Sequence, residues 1–165
     1  MKPLLEDWVR RPSVVGTISQ PATLALIAEN GSQECDVVEV RLDQVGVDCQ
    51  DWLEACAAVE GHGLPVLLTI RHAAEGGAWS GNREERLDLY RTAMAVVSAV
   101  DIEIHQEDVP TLVRRAEQTE TVVIGSFHDF DATPPMETLT GIVEEARSQG
   151  ADLVKLATWV DAFED

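Results

Sequence analysis

An α/β fold built as a parallel barrel is predicted by three features of the 165-residue chain. Strand-like and helix-like segments alternate from Ser13 to Ala157 without a break, as a run of βα units requires. Two of the strands alternate apolar with charged residues. Val38, Val40 and Leu42 face one way against Glu39, Arg41 and Asp43, and Val100, Ile102 and Ile104 oppose Asp101 and Glu103. An open sheet covered by helices on both sides calls for two apolar faces. A barrel instead has a lumen in which polar groups converge. Third, the charged inward positions fall toward the strand C-termini, the end where barrels assemble their sites.

Each element follows from its own residues. Ser13–Ile18 reads as the first strand and Pro21–Glu29 as a short helix. Asp36–Asp43 is the second strand, followed by a helix near Gln50–Glu60. Leu64–Arg71 is the third strand, with Pro65 suited to a strand start. The Gly-rich loop His72–Asn82 leads into a helix over Arg83–Val97, where Leu87, Tyr90, Met94 and Val97 recur at helical spacing. Ala99–Ile104 is the fourth strand, Val109–Gln118 a helix and Thr121–His128 the fifth strand. Pro135–Ser148 is a helix closed by Gly150, and Asp152–Ala157 is the sixth strand. The result is about five βα units plus a final strand, read as one domain over residues 1–165.

Composition excludes several classes of function. A formal charge of −18 argues against nucleic acid and against anionic membrane surfaces. No segment approaches the ~20 apolar residues of a membrane span. The start, "MKPLLEDWVRRP", lacks the apolar core of a signal peptide. Cys35, Cys49 and Cys56 fit no metal or redox spacing, so reduced thiols and a cytoplasmic location are expected. The histidines His62, His72, His105 and His128 are scattered, and no metal is expected.

The sixth strand poses the chemical question. In "DLVKLA" a lysine interrupts an apolar run, and the chain's other lysine is Lys2. A lysine stripped of water tends toward the neutral, nucleophilic amine. The plainer alternative is a strand-end lysine that snorkels to solvent. Five strands offer polar groups at comparable heights: Glu39 and Arg41, Arg71 with Glu75, Asp101 and Glu103, His128, and Lys155. Taken singly, Glu39 and Arg41 read as a buried ion pair, His128 as a structural histidine and Glu75 as a solvated loop residue. Convergence favours a site, because uncompensated charges are expensive in a core. A neutral amine attacks a ketone to form a Schiff base, whose iminium acidifies the neighbouring C–H. A histidine can move that proton, with a carboxylate to orient it, while arginines hold an oxygen-rich anion.

The motifs "EVRLD", "TIRHAAEGG", "DIEI", "SFHDF" followed by "TP", and "GADLVKLA" resemble, in order and spacing, the type I 3-dehydroquinate dehydratases of the shikimate pathway, which serves aromatic amino acid biosynthesis. The resemblance runs from the first strand to the chain end. It implies a (β/α)8 TIM-barrel fold and a hydro-lyase turning 3-dehydroquinate into 3-dehydroshikimate without metal or added cofactor. It further implies that Lys155 forms the Schiff base, that His128 is the general acid/base and that Glu75 partners the histidine. Glu39, Arg41 and Arg71 would contact substrate hydroxyls and ring, with Asp101 in support. A first-strand serine of the family falls near Gly16.

The family barrel has eight strands, and this sequence reaches only the sixth. The resemblance therefore implies a barrel truncated before its last two strands. The corresponding expectations are a homodimer or a partner covering the open edge, or a fragment of a longer enzyme, beside the small-molecule substrate. Two other readings stay open: a non-catalytic relative acting as a binding or assembly module, and another lysine (class I) aldolase-type enzyme. The loop His72–Asn82 reads equally as a lid or as an ordinary connection, and Trp79 as a pocket cap or as packing at the loop's base.

Overall fold

Six parallel strands run in the order β1-β2-β3-β4-β5-β6, each hydrogen-bonded to the next. The computed structural model describes residues 6, 8, 10–48, 51–106 and 108–160. Lys2, Cys49, Gln50 and the stretch 161–165 lie outside them. The strands are β1 (Val15–Ile18), β2 (Val37–Arg41), β3 (Val66–Thr69), β4 (Ala99–Glu103), β5 (Val122–Asp129) and β6 (Leu153–Thr158). The helices between them are α1 (Pro21–Asn30), α2 (Leu42–Val45), α3 (Trp52–Gly61), α4 (Arg83–Ala93), α5 (Val109–Thr119) and α6 (Met136–Ser148). This is the predicted βα alternation, curled into part of a barrel.

Two layers of apolar side chains hold it. On the outer face Val38, Val40, Leu68, Ile70, Val100, Ile102 and Val123 pack against Leu24, Cys56, Leu87, Tyr90 and Leu112 of the helices. Burial pushes the Cys56 thiol up to about 12, which leaves it an inert core residue. On the inner face Val37, Leu67, Ala99, Val122 and Ile124 form a second cluster, with Trp8 and Leu153 against it. Beyond this apolar floor, toward the strand C-termini, the inner face turns polar at Glu39, Thr69, Asp101, Glu103, Ser126 and Lys155. Period-two alternation thus separates support from chemistry within each strand.

Element ends differ from the sequence reading in two informative places. The second strand stops at Arg41, and Leu42–Val45 turns helical, closed by Gly46 at φ 92°. Leu42 is buried, but Asp43 sits on a helical turn rather than at an inward strand position. The helix expected to reach Val97 ends at Ala93. Tight bonds from Ala95 N–H to Thr92 O and from Val96 N–H to Ala93 O close it, while Met94 and Val97 remain buried. The start of α4 is well specified. Asn82 accepts from the Glu85 N–H, and the Glu85 carboxylate accepts from the Asn82 N–H, a reciprocal capping box.

Candidate active site

Arg71 lies two residues past the end of β3 and its guanidinium is enclosed, with 5% of the side chain exposed. Nη2 donates to Asp101 Oδ1 at 2.6 Å, and Nη1 donates to Ser126 Oγ at 2.8 Å and to Glu103 Oε1 at 3.2 Å. The Ser126 hydroxyl donates in turn to Asp101 Oδ1 at 2.5 Å. Burial alone would raise the Asp101 carboxyl, but Arg71, Lys155 and the Ser126 hydroxyl outweigh it and hold the group below the usual carboxylate range. Burial likewise works against the Arg71 charge, and Asp101 with Glu103 overcomes it, raising the guanidinium above its ordinary value.

Lys155 reaches this cluster from β6. In the β5–β6 register it lies beside Ser126, and its Nζ donates to Asp101 Oδ2 at 3.1 Å. The nitrogen therefore points inward, as the sequence implied. Its environment differs from the expectation of an amine stripped of water: the side chain is 41% exposed and is held by an ion pair. Interruption of an apolar run was a poor guide to burial here, because every residue of β6 is at least partly exposed.

His128 stands on β5, one inward position beyond Ser126, and its Nδ1 is 3.0 Å from Glu75 Oε2. Glu75 comes from a short 3-10 turn, Ala73–Glu75, in which the Ala74 N–H donates to His72 Nδ1 at 3.1 Å. It is far from solvated, with a side chain 15% exposed and Arg71 Nη1 at 4.0 Å. An ionised carboxylate can only accept, so the bond places a proton on Nδ1, and in the neutral tautomer Nε2 is then the unprotonated nitrogen. The loop reaches this place because of Gly77. A Cβ there would sit 1.9 Å from the Arg71 carbonyl oxygen, so the backbone lies directly on the end of β3. The Phe130 ring stacks on His128, with centroids 6.0 Å apart, and abuts Gly76.

The second strand contributes two groups, but not as a pair with each other. Glu39 accepts from Thr17 and from Thr69, each at 2.8 Å. Arg41 instead grips Asp43 through Nε at 3.0 Å and Nη2 at 2.8 Å. Asp43 Oδ2 also accepts the Ala78 N–H at 3.0 Å, which ties the mouth of β2 to the Gly-rich loop. Burial opposes the Asp43 charge, and the Arg41 hydrogen bond and Ala78 N–H reverse that, lowering its pKa. Gly16 faces Cys35 on the helix side, so the inward hydroxyl of β1 belongs to Thr17. Trp79 is buried in the outer core near Leu87 and Tyr90, packing at the loop's base.

One residue the sequence reading passed over is central. Arg86 of α4 is buried; its Nε donates to Ile70 O at 2.9 Å, and its Nη2 donates to Glu103 Oε2. Its guanidinium lies 5.7 Å from the Tyr90 ring centre. Tyr90 in turn donates to the Asp101 carbonyl at 2.7 Å. A segment reading "REERLDLYR" looks like a solvated face, yet Arg86 shares a helical stripe with Tyr90 four residues on, which was the available signal. Among the described residues, no three His, Cys, Asp or Glu side chains group to hold a metal ion.

The type I 3-dehydroquinase family model matches residues 14–165. The chain belongs to that family. Among 3-dehydroquinate dehydratases, it is 32% identical to that of Methanococcoides burtonii over 96% of this chain and 70% of the relative. To that of Methanocaldococcus jannaschii it is 38% identical, over 84% of this chain and 61% of the relative. Among solved structures, the 3-dehydroquinate dehydratase of Geobacillus kaustophilus superposes with a TM-score of 0.84 at 25% identity, covering 94% of this chain and 65% of that one. A type I enzyme from Clostridium difficile, solved with covalently modified comenic acid, gives 0.81 at 26% identity over 92% and 65%. This type I 3-dehydroquinase chain thus spans about two thirds of the length of these relatives.

Proposed function

We propose that this chain carries the imine-forming site of a 3-dehydroquinate dehydratase, with Lys155 as nucleophile and His128 as general acid/base. The observation that supports this most is the shared inner face of β5 and β6. It carries an amine from one strand and, from its neighbour, an imidazole whose tautomer Glu75 fixes. In this reading the Lys155 ammonium gives up a proton and the amine adds to the substrate ketone; the carbinolamine takes that proton back and loses water, which leaves a protonated imine. The imine withdraws electrons from the adjacent carbon, and His128 Nε2 removes a proton there to leave an enamine. Collapse of the enamine expels the β-hydroxyl, which takes the proton back from the imidazolium and departs as water. Hydrolysis of the remaining imine frees 3-dehydroshikimate and restores Lys155.

The other inner-face groups hold the substrate in this account. Arg71 and Arg41 contact substrate hydroxyls and the carbocyclic ring, and Glu39 accepts from a hydroxyl. Asp101 steadies the amine before attack. The Phe130 ring shields one side of the imidazole.

The test is reductive trapping. With 3-dehydroquinate and borohydride, the protein is expected to gain the mass of one reduced adduct, located on the Lys155 peptide by mass spectrometry, and Lys155→Met is expected to gain none. An adduct on Lys2 alone, or none in wild-type protein, defeats the proposal.

A further inference from the structure

We infer that Arg86, which is buried on α4 against Ile70 and Glu103, is a positioning residue whose charge governs how readily Lys155 releases its proton. The inference rests on Lys155 being the reacting amine. A continuous chain of polar contacts carries it: Arg86 to Glu103, Glu103 to Arg71, Arg71 to Asp101, and Asp101 to Lys155. Two guanidinium groups and two carboxylates balance within this chain. The carboxylate against Lys155 is therefore already matched by a fixed cation, and the Lys155 proton is not needed for neutrality.

Without the Arg86 charge the balance shifts. Glu103 would keep a single cation, Arg71, together with the His72 N–H at 2.9 Å. Arg71 would then be divided between two buried carboxylates, and Asp101 would draw harder on the Lys155 proton. Low dielectric makes such an excess charge felt over several contacts. The remaining inner-face groups do not replace Arg86. Glu75 is engaged by His128, Glu39 by Thr17 and Thr69, and Arg41 by Asp43. On the far side of Arg86 a cavity of about 110 Å³ brings His72, Arg83 and Asp108 near it. There Arg83 and Asp108 are joined by two hydrogen bonds at 2.6 and 2.7 Å. The Tyr90 hydroxyl, raised by burial, stays protonated.

Competitive acetylation with acetic anhydride across a pH series reads the Lys155 amine directly, with Lys2 as the internal reference and no substrate present. Arg86→Gln is expected to move the midpoint for Lys155 upward by about one pH unit, the scale on which a unit charge acts in a partly buried site. Arg86→Lys, which keeps the charge, is expected to stay near wild type. Glu103→Gln is expected to move the midpoint downward, and the double variant Arg86→Gln/Glu103→Gln to return it. A folded Arg86→Gln protein with an unmoved midpoint overturns the inference, as does Arg86→Lys shifting as far as Arg86→Gln. If Arg86→Gln does not fold, Glu103→Gln decides alone, and a midpoint that fails to fall is fatal. Because no dehydroquinate is used, a missing borohydride adduct would remove the proposed reaction while leaving this result intact.

Discussion

The strands β4 and β6 carry the same kind of cargo in opposite settings. Asp101 and Glu103 on β4 are fully buried, and each has several partners. Among the described residues, Lys155 on β6 meets one carboxylate, and its side chain is 41% exposed. The first arrangement is rigid because losing any member strands a buried charge. The second leaves the amine free to leave its partner. A site that forms and breaks a covalent bond needs both: fixed charges that hold their geometry, and one group able to move out of it.

Removing the imidazole tests the open side. His128→Gln is expected to leave borohydride trapping intact while slowing turnover by about 10²–10⁴-fold, the usual contribution of a positioned acid/base. Equal loss of trapping and turnover would instead place His128 in imine formation itself. Removing Arg71 tests the rigid side. Arg71→Met leaves Asp101 and Glu103 short of a cation and is expected to cost about 3–5 kcal/mol in urea unfolding. Lys155→Met, at a 41% exposed side chain, is expected to cost far less. Comparable losses for the two would erase the contrast between the strands. The smallest effect lies in acid. Asp101 is held below its unfolded value of about 3.9, so its contribution is complete above that pH and drains away as pH falls through the lowered folded value. Wild-type melting temperature should accordingly fall more steeply below about pH 4 than that of Asp101→Asn, and parallel acid limbs would dismiss the effect.

Much of this was readable in the residues, for physical reasons that also mark where reading failed. Period-two alternation in β2 and β4 has one interpretation once helices cover the other face, so the inward set of Glu39, Asp101 and Glu103 followed directly. The Glu75, His128 and Lys155 positions followed from motifs in register. The partners did not. An ion pair between Glu39 and Arg41 was the plain alternative to substrate contact, but the strand ends at Arg41, and the helical turn that follows carries Asp43 back to the guanidinium. Lys155 was assigned a dry environment from its apolar neighbours, although hydropathy cannot report whether a strand has cover on its flank. Arg86 was hidden because a helix dense in charge masks the one member that turns inward.

The contact between Gly77 and the end of β3 has a consequence for how this scaffold tolerates change. Any residue with a side chain at that place would lift the loop off the Arg71 carbonyl and carry Glu75 away from the imidazole. Drift at one codon would therefore part the Glu75 carboxylate from the His128 ring, a contact in which Gly77 itself takes no part.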